Sequence, residues 1–174
     1  MIISVSEVKK EVALNGWTDA KIERKLKAIE QTIRKYTNNN FQLRTHRKAA
    51  DIVGGLLVFD KNDFFKIEDT IQISESNFSN GIYTVIESSD DSIGIDKDIL
   101  DEEGVLVTKV VYPDDVVDCA INLLEWSKKY GGKVGVKSET LSRHSVTYED
   151  SATLYDGYPV GLLSGLNKYR KARF

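Results

Sequence analysis

The stretch that decides the fold is Tyr112-Pro113-Asp114-Asp115-Val116-Val117-Asp118-Cys119-Ala120-Ile121-Asn122-Leu123-Leu124-Glu125-Trp126-Ser127-Lys128-Lys129-Tyr130-Gly131. Pro113 suits a first helical turn, where no N–H donor is needed, and Asp114 and Asp115 suit the positive end of the helix dipole. Lys128 and Lys129 supply a basic last turn, and Gly131 can take the positive φ of a helix stop. Between those ends the apolar residues leave a narrow polar strip at Asp118, Asn122 and Glu125 when set out at about 100° per residue. A helix apolar on most of its circumference is covered on several sides. This helix is therefore expected to be the post around which the other elements pack.

Working outward toward the N-terminus, Ser4-Val5-Ser6-Glu7 reads as a capping box, with Ile3 and Val8 placed as a hydrophobic staple. The first helix is expected to run to about Leu14 and to stop at Asn15-Gly16. Thr18 caps a second helix, in which Ile22, Leu26, Ile29, Ile33 and Tyr36 form one apolar stripe. Glu23/Lys27 and Glu30/Arg34 are read as i,i+4 pairs on its outer face.

From about Arg44 to Val111 the helical period disappears. Asp51–Phe59, Thr70–Ile73, Gly81–Glu87, Ser92–Ile95 and Val105–Val111 read as short strands. Asn80-Gly81 marks a hairpin whose loop is longer than two residues. Charge changes at the same borders: residues 51–103 hold three Lys/Arg against fourteen Asp/Glu, whereas residues 1–50 hold eleven against five. Both signals set the middle apart as a separate unit. The expected fold is α+β, a helical body of about four helices (1–44 plus 112–174) carrying an inserted small β-barrel-like unit (45–111) and a C-terminal arm and helix. In the arm, Val134, Val136, Val146 and Thr147 are the strand-forming residues. The final helix starts at Tyr158-Pro159 and continues through Leu162, Leu163, Leu166 and Tyr169, although Gly161 and Gly165 cost it helix propensity.

Composition excludes several classes. The 174 residues include one cysteine and two histidines, so there is no internal disulfide and no zinc constellation. No apolar run approaches the roughly 20 residues of a membrane span, and Met1-Ile2-Ile3-Ser4 lacks the basic and apolar regions of a signal peptide. Synthesis as a soluble cytosolic protein is expected. Cys119 reads as a core thiol, and His46 and His144 lack an orienting partner for acid–base work. Asp96 to Gly104 imitates a calcium loop, but Leu100 stands at a ligand position and the glycine comes late. No catalytic, cofactor or metal residue is assigned. Lys21, Arg24, Lys25 and Lys27 on the second helix leave open a helix-turn-helix-like DNA-binding regulator. A small hydrolase using Asp98 and Asp101 is a third and weaker reading.

Several pieces together resemble the head–tail connector (adaptor, or head-completion) proteins of long-tailed bacteriophages. They are Ile33-Arg34-Lys35-Tyr36-Thr37-Asn38-Asn39-Asn40-Phe41, Tyr112 to Val117, Gly135-Val136-Lys137-Ser138-Glu139-Thr140-Leu141, Ser145-Val146-Thr147-Tyr148, and the ending from Tyr158-Pro159 to Phe174. The resemblance implies a structural subunit, not an enzyme, of a homo-oligomeric ring, commonly twelve-fold. That ring would dock on the portal and extend the DNA channel toward a tail-side connector or stopper. DNA would pass without sequence-specific binding, and no membrane or cofactor is involved. The implied location is the virion, with assembly in the host cytoplasm. The resemblance places the portal contact in the C-terminal segment, where Tyr158, Pro159, Leu162, Leu163, Leu166, Lys168, Tyr169, Arg170, Lys171, Arg173 and Phe174 are the candidates. It also suits the arm to contact with an adjacent subunit. A competing account has the terminal helix covering the post of its own chain.

Overall fold

The computed structural model describes residues 1–131, 138–141, 144–147 and 154–172. It divides into two compact units, one formed by residues 40–112 with Met1 and the other by residues 2–39 with the described part of 113–174.

The first unit is a closed antiparallel barrel of six strands: β1 (Gln42–Val53), β2 (Leu56–Val58), β3 (Thr70–Ser74), β4 (Gly81–Ser88), β5 (Ser92–Ile95) and β6 (Glu102–Val110). Around the circle the order is β1-β2-β5-β4-β3-β6, and β6 closes it by pairing with β1. Inward-facing Ile52, Leu57, Ile71, Ile73, Val85, Ile93, Val105 and Val107 fill the interior, with Phe59 and Phe65 alongside. Closure removes the free edges that a five-stranded curled sheet would expose.

This corrects the expected fold. The chain is not a helical body with a small insertion; among the described residues strand is as abundant as helix, and the closed barrel is a principal unit. Two features of β1 explain the difference. Its first half, Gln42 to Lys48, is polar apart from Leu43, which suits a stretch that is bulged between Gln42 and Arg47 and whose side chains are partly covered or exposed. Arg47 Nε instead donates to Thr108 Oγ1 on β6 at 2.9 Å. The segment Asp51–Phe59, expected as one strand, is a two-residue hairpin: Val53 pairs with Leu56, and Gly54 and Gly55 turn the chain at φ 59° and 81°. Positive φ at both central residues is the geometry that matches strand twist, and glycine adopts it without strain.

The second unit contains α1 (Val5–Glu11), α2 (Asp19–Thr37), α3 (Asp114–Tyr130) and the four-residue α4 (Val160–Leu163). It also holds two short antiparallel ribbons, β7 (Ser138–Leu141) with β8 (His144–Thr147) and β9 (Leu154–Tyr155) with β10 (Tyr158–Pro159). Ser4 caps α1 in a full capping box with Glu7, and the Thr18 side chain accepts the Lys21 N–H to cap α2. Asn38 ends α2 in the left-handed conformation. The α2 stripe of Ile22, Leu26, Ile29 and Ile33 is fully buried, as are Val116, Ala120, Leu123 and Leu124 of α3.

Three details depart from expectation here. α3 buries one broad face, while Val117, Ile121 and Trp126 stay half-covered, so the post is not enclosed all round. Glu30, read as an outer-face residue, is 3% exposed and pairs with Arg34 at 2.6 Å. The exposed pair is Lys27–Glu23 at 3.0 Å. Finally, the terminal helix does not continue as α-helix through Tyr169. It tightens to a 3-10 helix over Ser164–Tyr169, where Gly161 and Gly165 weaken the α conformation.

Candidate interaction surfaces

The C-terminal segment lies against its own helical unit. Tyr158, Pro159, Leu163 and Leu166 are buried, and the Tyr158 ring sits 5.7 Å from that of Trp126 on α3. Burial pushes the Tyr158 phenol above its ordinary pKa, against a hydrogen bond with Ser127 that pulls it down. The main chain continues the attachment: the Lys171 N–H donates to the Thr37 carbonyl at 2.8 Å, and Asn39 Nδ2 donates to the Tyr169 carbonyl at 3.2 Å. Asn38 Nδ2 lies 3.1 Å from the Ala172 carbonyl. In this conformation Tyr158, Leu163 and Leu166 are buried within the chain's own helical unit. Leu162, Lys168, Arg170 and Lys171 remain at the surface. Arg173 and Phe174 lie outside the described residues, as do Val134 and Val136. Val146 and Thr147 fall on β8, where they pair with Glu139 and Ser138 of β7.

A small polar latch holds this segment at the start of α3. Asp115 Oδ2 meets Lys168 Nζ at 2.6 Å, and Asp115 Oδ1 accepts the Tyr169 hydroxyl at 2.8 Å. These contacts hold the Asp115 carboxyl below its usual range, Lys168 first and Tyr169 second, and raise both Lys168 and Tyr169. The sign follows for each group. The lowered Asp115 contributes fully above its ordinary pKa and loses its contribution as pH falls through the lowered value. The raised Lys168 and Tyr169 contribute below their ordinary values and lose it as pH climbs through the raised ones. Tail attachment should thus be flat from about pH 5 to about pH 9 and weaken outside that window. Asp115→Asn should speed tryptic cleavage after Lys168 and Arg170 several-fold at neutral pH; cleavage at the wild-type rate would show that the latch holds nothing.

Cys119 is buried, with 7% of its surface exposed. Its Sγ donates to the Leu162 carbonyl at 3.3 Å, and burial, with the Asp115 charge behind it, pushes the thiol up to about 11. That favours the thiol over the nucleophilic thiolate at neutral pH. His46 packs its ring edge-on against Phe64 at 4.7 Å, with Nδ1 3.1 Å from Thr45 Oγ1. In the acidic stretch the carboxylates serve the backbone: Asp96 accepts the Thr84 N–H at 2.9 Å and Asp101 the Gly54 N–H at 2.8 Å. Among the described residues no group of three or more His, Cys, Asp or Glu is placed to hold a metal ion, and no helix is long and apolar enough to cross a membrane. The helix-turn-helix candidates are engaged in part, with Lys21 Nζ 4.4 Å from the Trp17 ring and Lys27 paired to Glu23.

Two barrel features had no clear sequence signal. One is a cleft of about 660 Å³ floored by Gly94 on β5, with Leu56, Ile86, Ile99 and Leu100 at its sides. The other is the Glu75–Asn80 loop between β3 and β4. Ser76 Oγ accepts the N–H groups of Phe78 (3.1 Å) and Ser79 (2.6 Å) and donates to Glu102. Glu102 also accepts the Asn77 main-chain N–H at 2.6 Å, and Tyr83 Oη donates to the Ser79 carbonyl at 2.9 Å. These bonds, Ser76 first, hold the Glu102 carboxyl below its usual range. The loop is fixed, yet its largest side chain, Phe78, is 72% exposed.

The geometry defines a class: an α+β chain with a closed six-stranded barrel and a helical unit. No protein-family model matches the chain, and no curated protein matches it.

Proposed function

We propose that this chain is a ring-forming structural subunit of a phage head–tail connector, docking on the portal and extending its DNA channel toward the tail. The observation that carries the reading is the β7–β8 ribbon. It pairs Ser138 with Thr147 and Leu141 with His144 in a sheet that contains those two strands alone among the described residues. A two-stranded ribbon is marginally stable in water and gains most from a further surface to lie on. It also stands after α3, where the connector resemblance puts the arm that reaches a neighbouring subunit. Arms of this kind suit head-to-tail contacts that close by rotation. The portal contact falls to the exposed cations of the tail, Arg170 and Lys171, together with Arg173 and Phe174, since the apolar stripe of the tail is taken up within the chain.

The test replaces residues 138–147 with a Gly/Ser linker of equal length. Ring formation on a candidate portal should be lost, while the tryptophan-reported melt of the helical unit stays unchanged. Rings formed at wild-type yield by that variant would reject the ribbon as the intersubunit arm.

A further inference from the structure

We infer that the Gly94-floored cleft on the barrel wall docks a basic segment of a partner protein. An apolar side chain of that segment sits over Gly94, and its lysine or arginine charges meet Glu87 and Asp98. The inference goes beyond the ring-forming reading and does not depend on it.

Strand register builds the surface. Ile52 pairs with Leu57 and Leu57 with Ile93, and all three are buried in the barrel interior. Side chains alternate along a strand, so the next row, Val53, Leu56, Gly94 and Glu87, faces outward. Two apolar side chains, a glycine and a carboxylate thus stand side by side on the outer wall. Val53 is 57% exposed, and Ile86 and Leu100 at the cleft are 53% and 63% exposed. A Cβ at Gly94 would stand 3.2 Å from Glu87 Cβ and 3.4 Å from Leu56 Cδ2, so glycine keeps the floor open between them.

The chain fixes the borders of this surface itself. Asp101 Oδ1 accepts the Gly54 N–H at 2.8 Å, and Glu102 beside it accepts the Asn77 N–H at 2.6 Å and so holds the Phe78 loop. Lys97 at the cleft lies 5.3 Å from the Tyr83 ring, whose hydroxyl donates to the Ser79 carbonyl of the same loop. Cleft and loop are therefore neighbours on one side of the barrel. A surface ordered in advance loses less entropy when a partner arrives.

Charge selects the occupant. Glu87, Asp98 and Asp101 line the cleft against Lys97, whose ammonium is already drawn to the Tyr83 ring. The carboxylates of Glu87 and Asp98 have no hydrogen bond or ion pair among the described residues. A purely apolar segment would strip both of water and return nothing. Phosphate would be repelled, because residues 40–112 hold seven Lys/Arg against fourteen Asp/Glu. A cation beside an apolar anchor answers both conditions. The apolar row also runs on past the cleft to Val53, which suits an extended segment better than a compact small cation.

One short segment buries less than the roughly 1,200 Å² of a stable complex, so an isolated peptide should bind at a Kd of about 0.1–1 mM. Amide NMR of the isotope-labelled full chain tests this with a capped peptide of alternating lysine and leucine, at about 0.05 and 0.5 M salt. The amides of Gly54, Gly55 and Gly94 should shift to saturation, with affinity at least about five-fold weaker at the higher salt. Peptides with serine for leucine, or with glutamate for lysine, should each bind at least about ten-fold more weakly. In the protein, Ile86→Ser and the pair Glu87→Lys with Asp98→Lys should each weaken binding at least about ten-fold. All three positions are exposed, and unchanged melting curves would confirm that the variants fold. Four outcomes would each overturn the inference: no saturation by about 5 mM, equal binding of the serine peptide, variants with wild-type affinity, or binding unmoved by salt. Shifts of the same amides on concentrating the chain alone would seat a second copy in the cleft and overturn it too.

Discussion

Glu30→Ala should destabilise the helical unit by about 3–5 kcal/mol, among the largest effects of any single substitution in the chain. Glu30 is almost fully buried on α2, and its Oε1 meets Arg34 Nη2 at 2.6 Å. Arg34 keeps only 17% of its side chain in water, and its buried Nε finds no hydrogen-bond acceptor among the described residues. Removing the carboxylate leaves a guanidinium that is poorly hydrated and has lost this partner. The cost comes from that orphaned charge more than from the worth of the pair, so replacing both should be mild. Glu30→Met with Arg34→Met should recover most of the stability lost by Glu30→Ala alone. Both tryptophans, Trp17 and Trp126, belong to the helical unit, so urea unfolding followed by tryptophan fluorescence reads it directly. A Glu30→Ala loss below about 1 kcal/mol would place the pair in the class of solvated surface bridges.

In the barrel the corresponding residue is Ile71. It is fully buried on β3, where its neighbours Thr70 and Gln72 pair with Val110 and Thr108 of β6. Ile71→Ala removes buried methyl and methylene groups and leaves a cavity that a closed barrel has little freedom to collapse, at a cost of about 2–5 kcal/mol. The control is Ile67→Ala, since Ile67 is 58% exposed and its loss should stay within about 0.5 kcal/mol. Amide hydrogen exchange reports the barrel separately. The most protected amides of β3 and β6 should exchange at least about 30-fold faster in Ile71→Ala and at the wild-type rate in Ile67→Ala. Equal exchange in both variants would mean that the barrel interior is not the stabilising core described above.

The helices were legible because their signals are local. Ser4 with Glu7 and Thr18 each act within one turn, and the structure uses both. The expected positive-φ stop of α3 is not used, since Gly131 stays in the right-handed helical region at φ −61° and Lys128 donates instead to the Ala13 and Asn15 carbonyls. A barrel-like middle unit was legible, but the strand that closes it was not, because β1 reaches back to Gln42 through Arg44, Arg47 and Lys48, residues to which the sequence pattern assigns no strand. Their strand character comes from pairing with β6, a partner some sixty positions away. Gly54-Gly55 carried a hairpin signal that the surrounding apolar run obscured. Glu30 read as a surface residue because i,i+4 spacing is satisfied equally well by a buried pair. The candidate surfaces were the least visible. The tail is amphipathic and basic, but periodicity does not say whether an apolar stripe meets a partner or its own chain. Phe78 lay in a polar loop whose rigidity comes from Glu102, distant in sequence.

The central claim is assembly, and electron microscopy of the chain mixed with its candidate portal tests it most directly. The account predicts a closed ring seated on one face of the portal, one copy for each portal subunit, with density joining neighbouring copies. Portal particles without added density, or carrying single copies that never close, would contradict it.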